Sequence, residues 1–199
     1  MQILIAGSTG KTGQHLVREL QGRGHAPVAM VRQSSDTSGL PDGVEQRVGD
    51  LTDLADDITD GCEVVVFAAG AGGGSSEEMT DKVDRDGAMA LIDLSVSKGV
   101  RRFVMLSSVG AGDPDPDSDL AHYLEAKHAA DEHLMATPLE YAILRPVALT
   151  DDAVTGEVRL GENADPSGKA SRAEVAKLLA DAAEAPEWVG KVLRMESVI

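Results

Sequence analysis

Seven short runs of Val, Ile, Leu and Ala recur along the chain, at residues 2–6, 27–31, 44–48, 64–69, 102–106, 141–144 and 192–195. Their length and composition predict strands. Between them lie segments of helical length and period, at 12–21, 82–97, 120–136 and 171–185. In the second of these, Val83, Gly87, Ala90, Leu91 and Leu94 share one face, while Asp84, Asp86 and Asp93 fall elsewhere. Apolar strands alternating with amphipathic helices predict a mostly parallel sheet covered on both faces, an open α/β sandwich.

No repeat and no linker divides the chain, so one domain over residues 1–199 is expected. Irregular stretches fall at 33–43, 70–80, 109–119 and 147–170, and three of the four follow a strand directly. In a doubly wound sheet the loops after the strand C-termini form the ligand crevice.

Composition narrows the function classes. With 42% apolar residues the chain can bury a real core, and 18 basic against 34 acidic side chains leave a net charge of -16. That charge disfavours phosphate backbones and anionic lipid surfaces, so neither nucleic acid nor membrane is expected as a partner. The single cysteine, Cys62, can form no internal disulfide, which fits a reducing cytoplasm. Met1-Gln2 leads straight into a strand with no basic n-region, so no export signal is expected. The longest apolar or glycine run, 64–74, is far short of a membrane span.

Directly after the first strand comes Gly7-Ser8-Thr9-Gly10-Lys11-Thr12-Gly13, followed by a helical pattern. The G-x-x-G-x-x-G spacing has a physical reading: a tight turn at Gly7, backbone approach to a pyrophosphate at Gly10, and close helix-to-strand packing at Gly13. The helix N-terminus adds free N–H groups and the positive end of its dipole. This strand-turn-helix context predicts a dinucleotide-binding Rossmann domain. Gly10-Lys11-Thr12 also resembles the end of a triphosphate P-loop, but the position five residues before Gly10 is Ile5, not glycine, and that reading fails.

The end of the second strand bears on which dinucleotide is held. A carboxylate there would take the ribose hydroxyls of NAD, yet the sequence runs Val31-Arg32-Gln33-Ser34-Ser35 with no acid before Asp36. Arg32 can pair with a 2′-phosphate, so NADP is expected, with NAD the alternative. After the third strand, Asp50 and Leu51 are placed to hold adenine, or Asp50 caps the next helix.

Tyr123 and Lys127 stand at i and i+4 on one helix face, and Ser107 and Ser108 close the preceding strand. Together with the glycine turn, Asp50-Leu51, Ala68-Ala69-Gly70, Val83 to Gly87, Phe103 to Ser108 and Leu144-Arg145-Pro146, these residues resemble the short-chain dehydrogenase/reductase superfamily over nearly the whole chain. The glycine spacing and the short C-terminal region look like its compact atypical group, similar to biliverdin/flavin reductases and to proteins labelled epimerases or dehydratases. The resemblance implies that Tyr123 is the proton donor or acceptor and that Lys127 lowers its pKa and holds the nicotinamide ribose. It further implies that Ser108, with Ser107 as fallback, orients the substrate carbonyl. A phenol of ordinary pKa about 10 needs a nearby cation to act near neutrality. Asp84 stands where the superfamily has an active-site asparagine. The cofactor would lie against Gly7, Ser8, Thr9, Gly10, Lys11, Thr12 and Gly13, then Arg32, Asp50 and Leu51, then Ala68, Ala69, Gly70, Lys127 and Pro146, with residues from about 147 onward on the substrate side.

Other signals carry less. The acids from Asp113 to Asp119 alternate as in a calcium loop, but the sixth position is Ser118 rather than glycine and the twelfth is Leu124 rather than glutamate. His122, His128 and His133 lack metal-binding spacing, so no metal is expected. The expectation is therefore an NADP-dependent oxidoreductase acting on a small carbonyl, quinone or flavin-like substrate. Its rivals are a nucleotide-sugar epimerase or dehydratase and a non-catalytic NADP sensor.

Overall fold

Strand β1 (Gln2–Ala6) is buried along nearly its whole length because it runs through the middle of a parallel sheet, with apolar layers on both faces. The computed structural model, which describes residues 1–198, places ten strands in that sheet in the order β3-β2-β1-β4-β5-β6-β10-β9-β7, with β8 beside β10. The first six are β2 (Ala26–Val31), β3 (Glu45–Val48), β4 (Val64–Phe67), β5 (Arg102–Leu106) and β6 (Glu140–Pro146) together with β1, all parallel. The order reverses between β1 and β4, which opens a crevice at the strand C-termini. This is the Rossmann-type doubly wound fold that the alternating pattern predicts.

Alternation along the strands sorts the core into two layers. Ile3, Ile5, Val64, Val66 and Val104 face α1 (Lys11–Gly22) and α5 (Arg172–Glu184). Leu4, Ala6, Val65, Phe67, Phe103 and Met105 face α3 (Ala88–Ser97) and α4 (Ala121–Met135).

Two elements depart from the sequence reading. The helix expected at 82–97 begins earlier, with α2 (Glu77–Thr80), whose N-cap Ser76 accepts the Met79 N–H, and it passes through a π-helical segment (Asp81–Gly87) into α3. The wider π turn rotates the face that meets the sheet. The buried positions are therefore Asp84, Gly87, Ala88, Leu91, Ile92 and Ser95, while Ala90 is exposed. Asp84, expected off the apolar face, is buried.

The stretch 147–170, expected to be irregular, contains β7 (Ala148–Thr150), β8 (Val158–Leu160) and β9 (Lys169–Ser171). Three-residue strands show no period-two pattern; they form because β10 (Lys191–Ser197) offers its edge and extends past the predicted 192–195. Met195, Glu196 and Ser197 pair antiparallel with β8, and Ser197 also meets β9. Trp188 packs on the core.

Candidate active site

The glycine turn has the shape its spacing implies. Gly7 has a φ of +84°, and a Cβ there would lie 2.6 Å from the backbone of Ala68 and Ala69, so the turn rests on the chain leaving β4. A Cβ on Gly13 would lie 2.1 Å from the Gly7 carbonyl oxygen, which forces α1 against the turn. Gly10 differs: its φ is an ordinary -70°, and a Cβ would meet only the Gly7 oxygen, at 3.3 Å. As N-cap of α1 it supplies no side-chain acceptor, leaving the first-turn N–H groups of Lys11, Thr12 and Gly13 uncapped. An uncapped helix start at a glycine fits a diphosphate.

Not every residue of this stretch is free for a ligand. The Ser8 hydroxyl is buried and donates to the Met30 carbonyl at 2.7 Å, tying the turn to β2 and taking that hydroxyl out of reach of a ligand. The Thr9 carbonyl accepts from Gln14 at 2.9 Å, Thr12 is buried, and Lys11 is an exposed cation paired with Asp151.

At the β2 and β3 ends, Arg32 is exposed and Asp50 is close enough to feel its charge. Asp50 accepts the Thr52 N–H at 2.9 Å and the Thr52 hydroxyl at 2.8 Å, and these bonds, aided by Arg32, hold its carboxyl below the usual range. Asp50 thus closes a local turn on Thr52; residues 51–60 are turns rather than a helix, so it caps no helix, contrary to the alternative read from the sequence. A Cβ on Gly87 would lie 2.9 Å from Leu51, so that glycine brings the π-helical segment up to the same rim.

The charged centre lies at the C-terminal ends of β4 and β5. Lys127 is 3% exposed, and its Nζ stands 3.0 Å from Asp84 Oδ1, an ion-pair contact. It also faces the Ala69 and Leu106 carbonyls at 3.4 and 3.5 Å, and lies 5.4 Å from the Phe67 ring centre and 5.8 Å from that of Tyr123. Burial works against the ammonium, but Tyr123 and Asp84 outweigh it and the lysine pKa is raised. Asp84 Oδ2 accepts the Ala71 N–H at 2.9 Å, and a Cβ on Gly70 would lie 3.1 Å from Oδ1. The acid in the asparagine position therefore neutralises the lysine and seats the loop after β4.

Ser107 and Ser108 separate cleanly. Ser107 is buried and donates to Asp131 Oδ2 at 2.8 Å, which removes it as an alternative to Ser108. Ser108 is only partly buried, and its hydroxyl makes a long 3.3 Å bond to the Val109 carbonyl. Pro146 is buried; its carbonyl takes the Val109 N–H at 2.9 Å and fixes the start of the β5–α4 loop. Sequence reasoning missed Asp131. It is fully buried, also accepts from Arg145 Nε at 2.9 Å, and has a raised pKa because burial outweighs Arg145 and Ser107. Its signal was available: Tyr123, Lys127 and Asp131 are spaced four apart, on one face of α4.

A Rossmann sheet with an uncapped glycine turn at its switch point, and a buried lysine beside a tyrosine at the adjacent strand ends, defines a dinucleotide-binding protein. The chain belongs to the NAD(P)H-binding family, whose model matches residues 7–186. It is 34% identical over 183 residues to the uncharacterized sugar epimerase YhfK of Bacillus subtilis, covering 89% of this chain and 85% of that one. A solved structure from Bacillus halodurans, provisionally assigned as an NAD-dependent epimerase/dehydratase, superposes with a TM-score of 0.92 at 33% identity, covering 100% and 94% of the two chains. The oxidoreductase ylbE from Lactococcus lactis superposes with a TM-score of 0.87 at 27% identity, covering 100% and 91%. The resemblance to compact, atypical short-chain dehydrogenase/reductases holds at the level of family and fold.

Proposed function

We propose that the protein is an NADP-dependent oxidoreductase that transfers hydride to or from a small carbonyl, quinone or flavin-like substrate. The observation that carries this reading is the sealed Lys127 ammonium beside the partly exposed Tyr123, at the strand ends to which the glycine turn is joined. When bound, the nicotinamide supplies or accepts the hydride. The backbone around Gly7, Gly10 and Gly13 and the first turn of α1 hold the diphosphate, Arg32 the 2′-phosphate, and Leu51 the adenine rim. Ser108 holds the substrate oxygen, and the Tyr123 hydroxyl donates its proton to that oxygen as a carbonyl is reduced. Lys127 offsets the negative charge left on the phenol oxygen until solvent returns the proton. Its ammonium is enclosed by Asp84 and two carbonyls, so it acts through Tyr123 more than by contact with ligand. Residues 147–198 border the substrate side.

The test is cofactor consumption with NADPH and NADH against carbonyls, quinones and flavins, in the native protein and in Tyr123→Phe. Loss of a positioned proton donor costs about 10²- to 10⁴-fold in rate. Carbonyl turnover in Tyr123→Phe should fall by that much, with dinucleotide affinity nearly unchanged. An undiminished rate would remove Tyr123 from the chemistry. The epimerase assignments of two relatives favour a second reading, in which the same residues work on a sugar nucleotide and the dinucleotide is regenerated. Isomerisation of a nucleotide sugar without net NADPH consumption would select it.

A further inference from the structure

On the α4 side of the sheet, beside β10, a groove of about 470 Å³ opens, lined by Arg145, Gly161, Glu162, Val192 and Arg194. Its volume is that of a small-molecule site. Arg145 on β6 and Arg194 on β10 are register partners in a parallel pair, so both guanidinium groups rise from the same face of the sheet into one space. Their surroundings differ. Arg145 uses Nε and Nη2 on the buried Asp131, which fixes its orientation, and a Cβ on Gly112 would lie 2.3 Å from its Nη1. Arg194 is exposed and forms no ion pair among the described residues. Glu162, carried to the rim by the left-handed turn at Gly161 (φ +66°), forms none either. On a chain of net charge -16, an unpaired cation and an unpaired anion thus face the same groove without meeting.

We infer that this groove is a second small-molecule site, for a hydroxylated oxyanion: a small carboxylate or phosphate monoester whose anionic group sits on Arg194 and Arg145 and whose hydroxyl donates to Glu162. Guanidinium groups match the oxygens of either anion, and the carboxylate of Glu162 can only accept, so it selects a ligand with a donor. An anion alone would be repelled by Glu162, and a cation by the two arginines. The inference rests on the groove and is independent of the dinucleotide chemistry at Gly7 to Gly13.

Calorimetric titration of the whole protein with sn-glycerol 3-phosphate and D-glycerate separates the two anion types, with inorganic sulfate and acetate as hydroxyl-free controls. At least one hydroxylated ligand should bind saturably and more tightly than its control. Arg194→Ala, at an exposed position that should leave the Tm unchanged, should weaken it by about tenfold or more. Glu162→Ala, which removes the acceptor, should close the gap between the ligand and its control. Gly10→Val, which blocks the glycine turn, should leave this binding within about twofold, because that turn is the other anion-binding place on the chain. The site is overturned if neither ligand binds saturably, if Arg194→Ala has no effect, or if Gly10→Val and not Arg194→Ala abolishes binding. A Glu162→Ala variant that preserves the full preference for hydroxylated ligands overturns the assigned ligand class.

Discussion

An ammonium buried at the end of a sheet keeps its charge only if its neighbours supply what water would. For Lys127 those neighbours are the Asp84 carboxylate at 3.0 Å, two carbonyl oxygens and two aromatic rings. The consequence is a pH dependence with a definite sign. Because the folded pKa is raised above the ordinary value of about 10.4, the folded state holds this proton more tightly than the unfolded chain. Its contribution to stability is therefore complete below the ordinary value and is lost as pH climbs through the raised one. Lys127→Met should abolish that alkaline limb, while destabilising the fold because Asp84 is left buried and unpaired. Denaturant midpoints measured from about pH 9 upward check both effects. Arg32 gives a second prediction at this scale. It is exposed at the end of β2, beside Asp50, and no acid of β2 competes for a ribose hydroxyl. NADPH should bind more tightly than NADH, and Arg32→Asp should reverse the order. Fluorescence titration with the two cofactors checks it, and an NADH preference in the native protein would remove Arg32 from the site.

Among elements, the turn between β1 and α1 shows how three glycines in one motif do different work. Gly13 is required by packing, since a Cβ in place of its hydrogen would lie 2.1 Å from the Gly7 carbonyl oxygen, where no carbon fits. Gly10 is less constrained, having an ordinary φ and a Cβ position that would meet only the Gly7 oxygen, at a tight 3.3 Å, so of the three it is the one most open to a ligand. Gly10→Val should therefore leave the thermal midpoint close to native while dinucleotide affinity collapses. Gly13→Val should lower stability by about 3 kcal/mol or more, because the clash is with backbone. Thermal melts paired with cofactor titrations separate the two. The same scale shows where the pattern misleads: the 3.6 period misplaces Asp84 because a π-helical segment shifts the phase of the face, and no residue in 81–87 announces that widening.

For the whole molecule, the excess of acid has a kinetic consequence. A chain of net charge -16 repels an anionic dinucleotide at long range even though the local site attracts it. Raising salt from about 20 to 200 mM shortens the screening length to below about 10 Å, so the association rate constant for NADPH should rise by roughly twofold or more. Stopped-flow binding at several ionic strengths checks this, and a falling rate would show that the field at the crevice, not the net charge, governs approach. No helix among the described residues is long and apolar enough to cross a membrane.

What the amino-acid sequence determined by itself was everything encoded by local spacing. Continuous apolar runs specify buried parallel strands, G-x-x-G-x-x-G specifies a turn that backbone sterics alone allow, and Tyr123 and Lys127 four apart share a helix face whatever surrounds them. Tertiary structure decided which of these groups remain available. Ser8 lies inside the glycine motif, yet its hydroxyl is taken by Met30, and Ser107 yields to Ser108 because Asp131 holds it. Asp84 reads only as an acid in place of an asparagine, off the apolar face, until Lys127 is packed against it, and β7, β8 and β9 have too few residues to show a period until β10 offers them an edge. In each case the partner is far away in sequence: a hydrogen bond or ion pair of 3 Å leaves no periodic trace in the chain, whereas burial of a whole strand or helix face does.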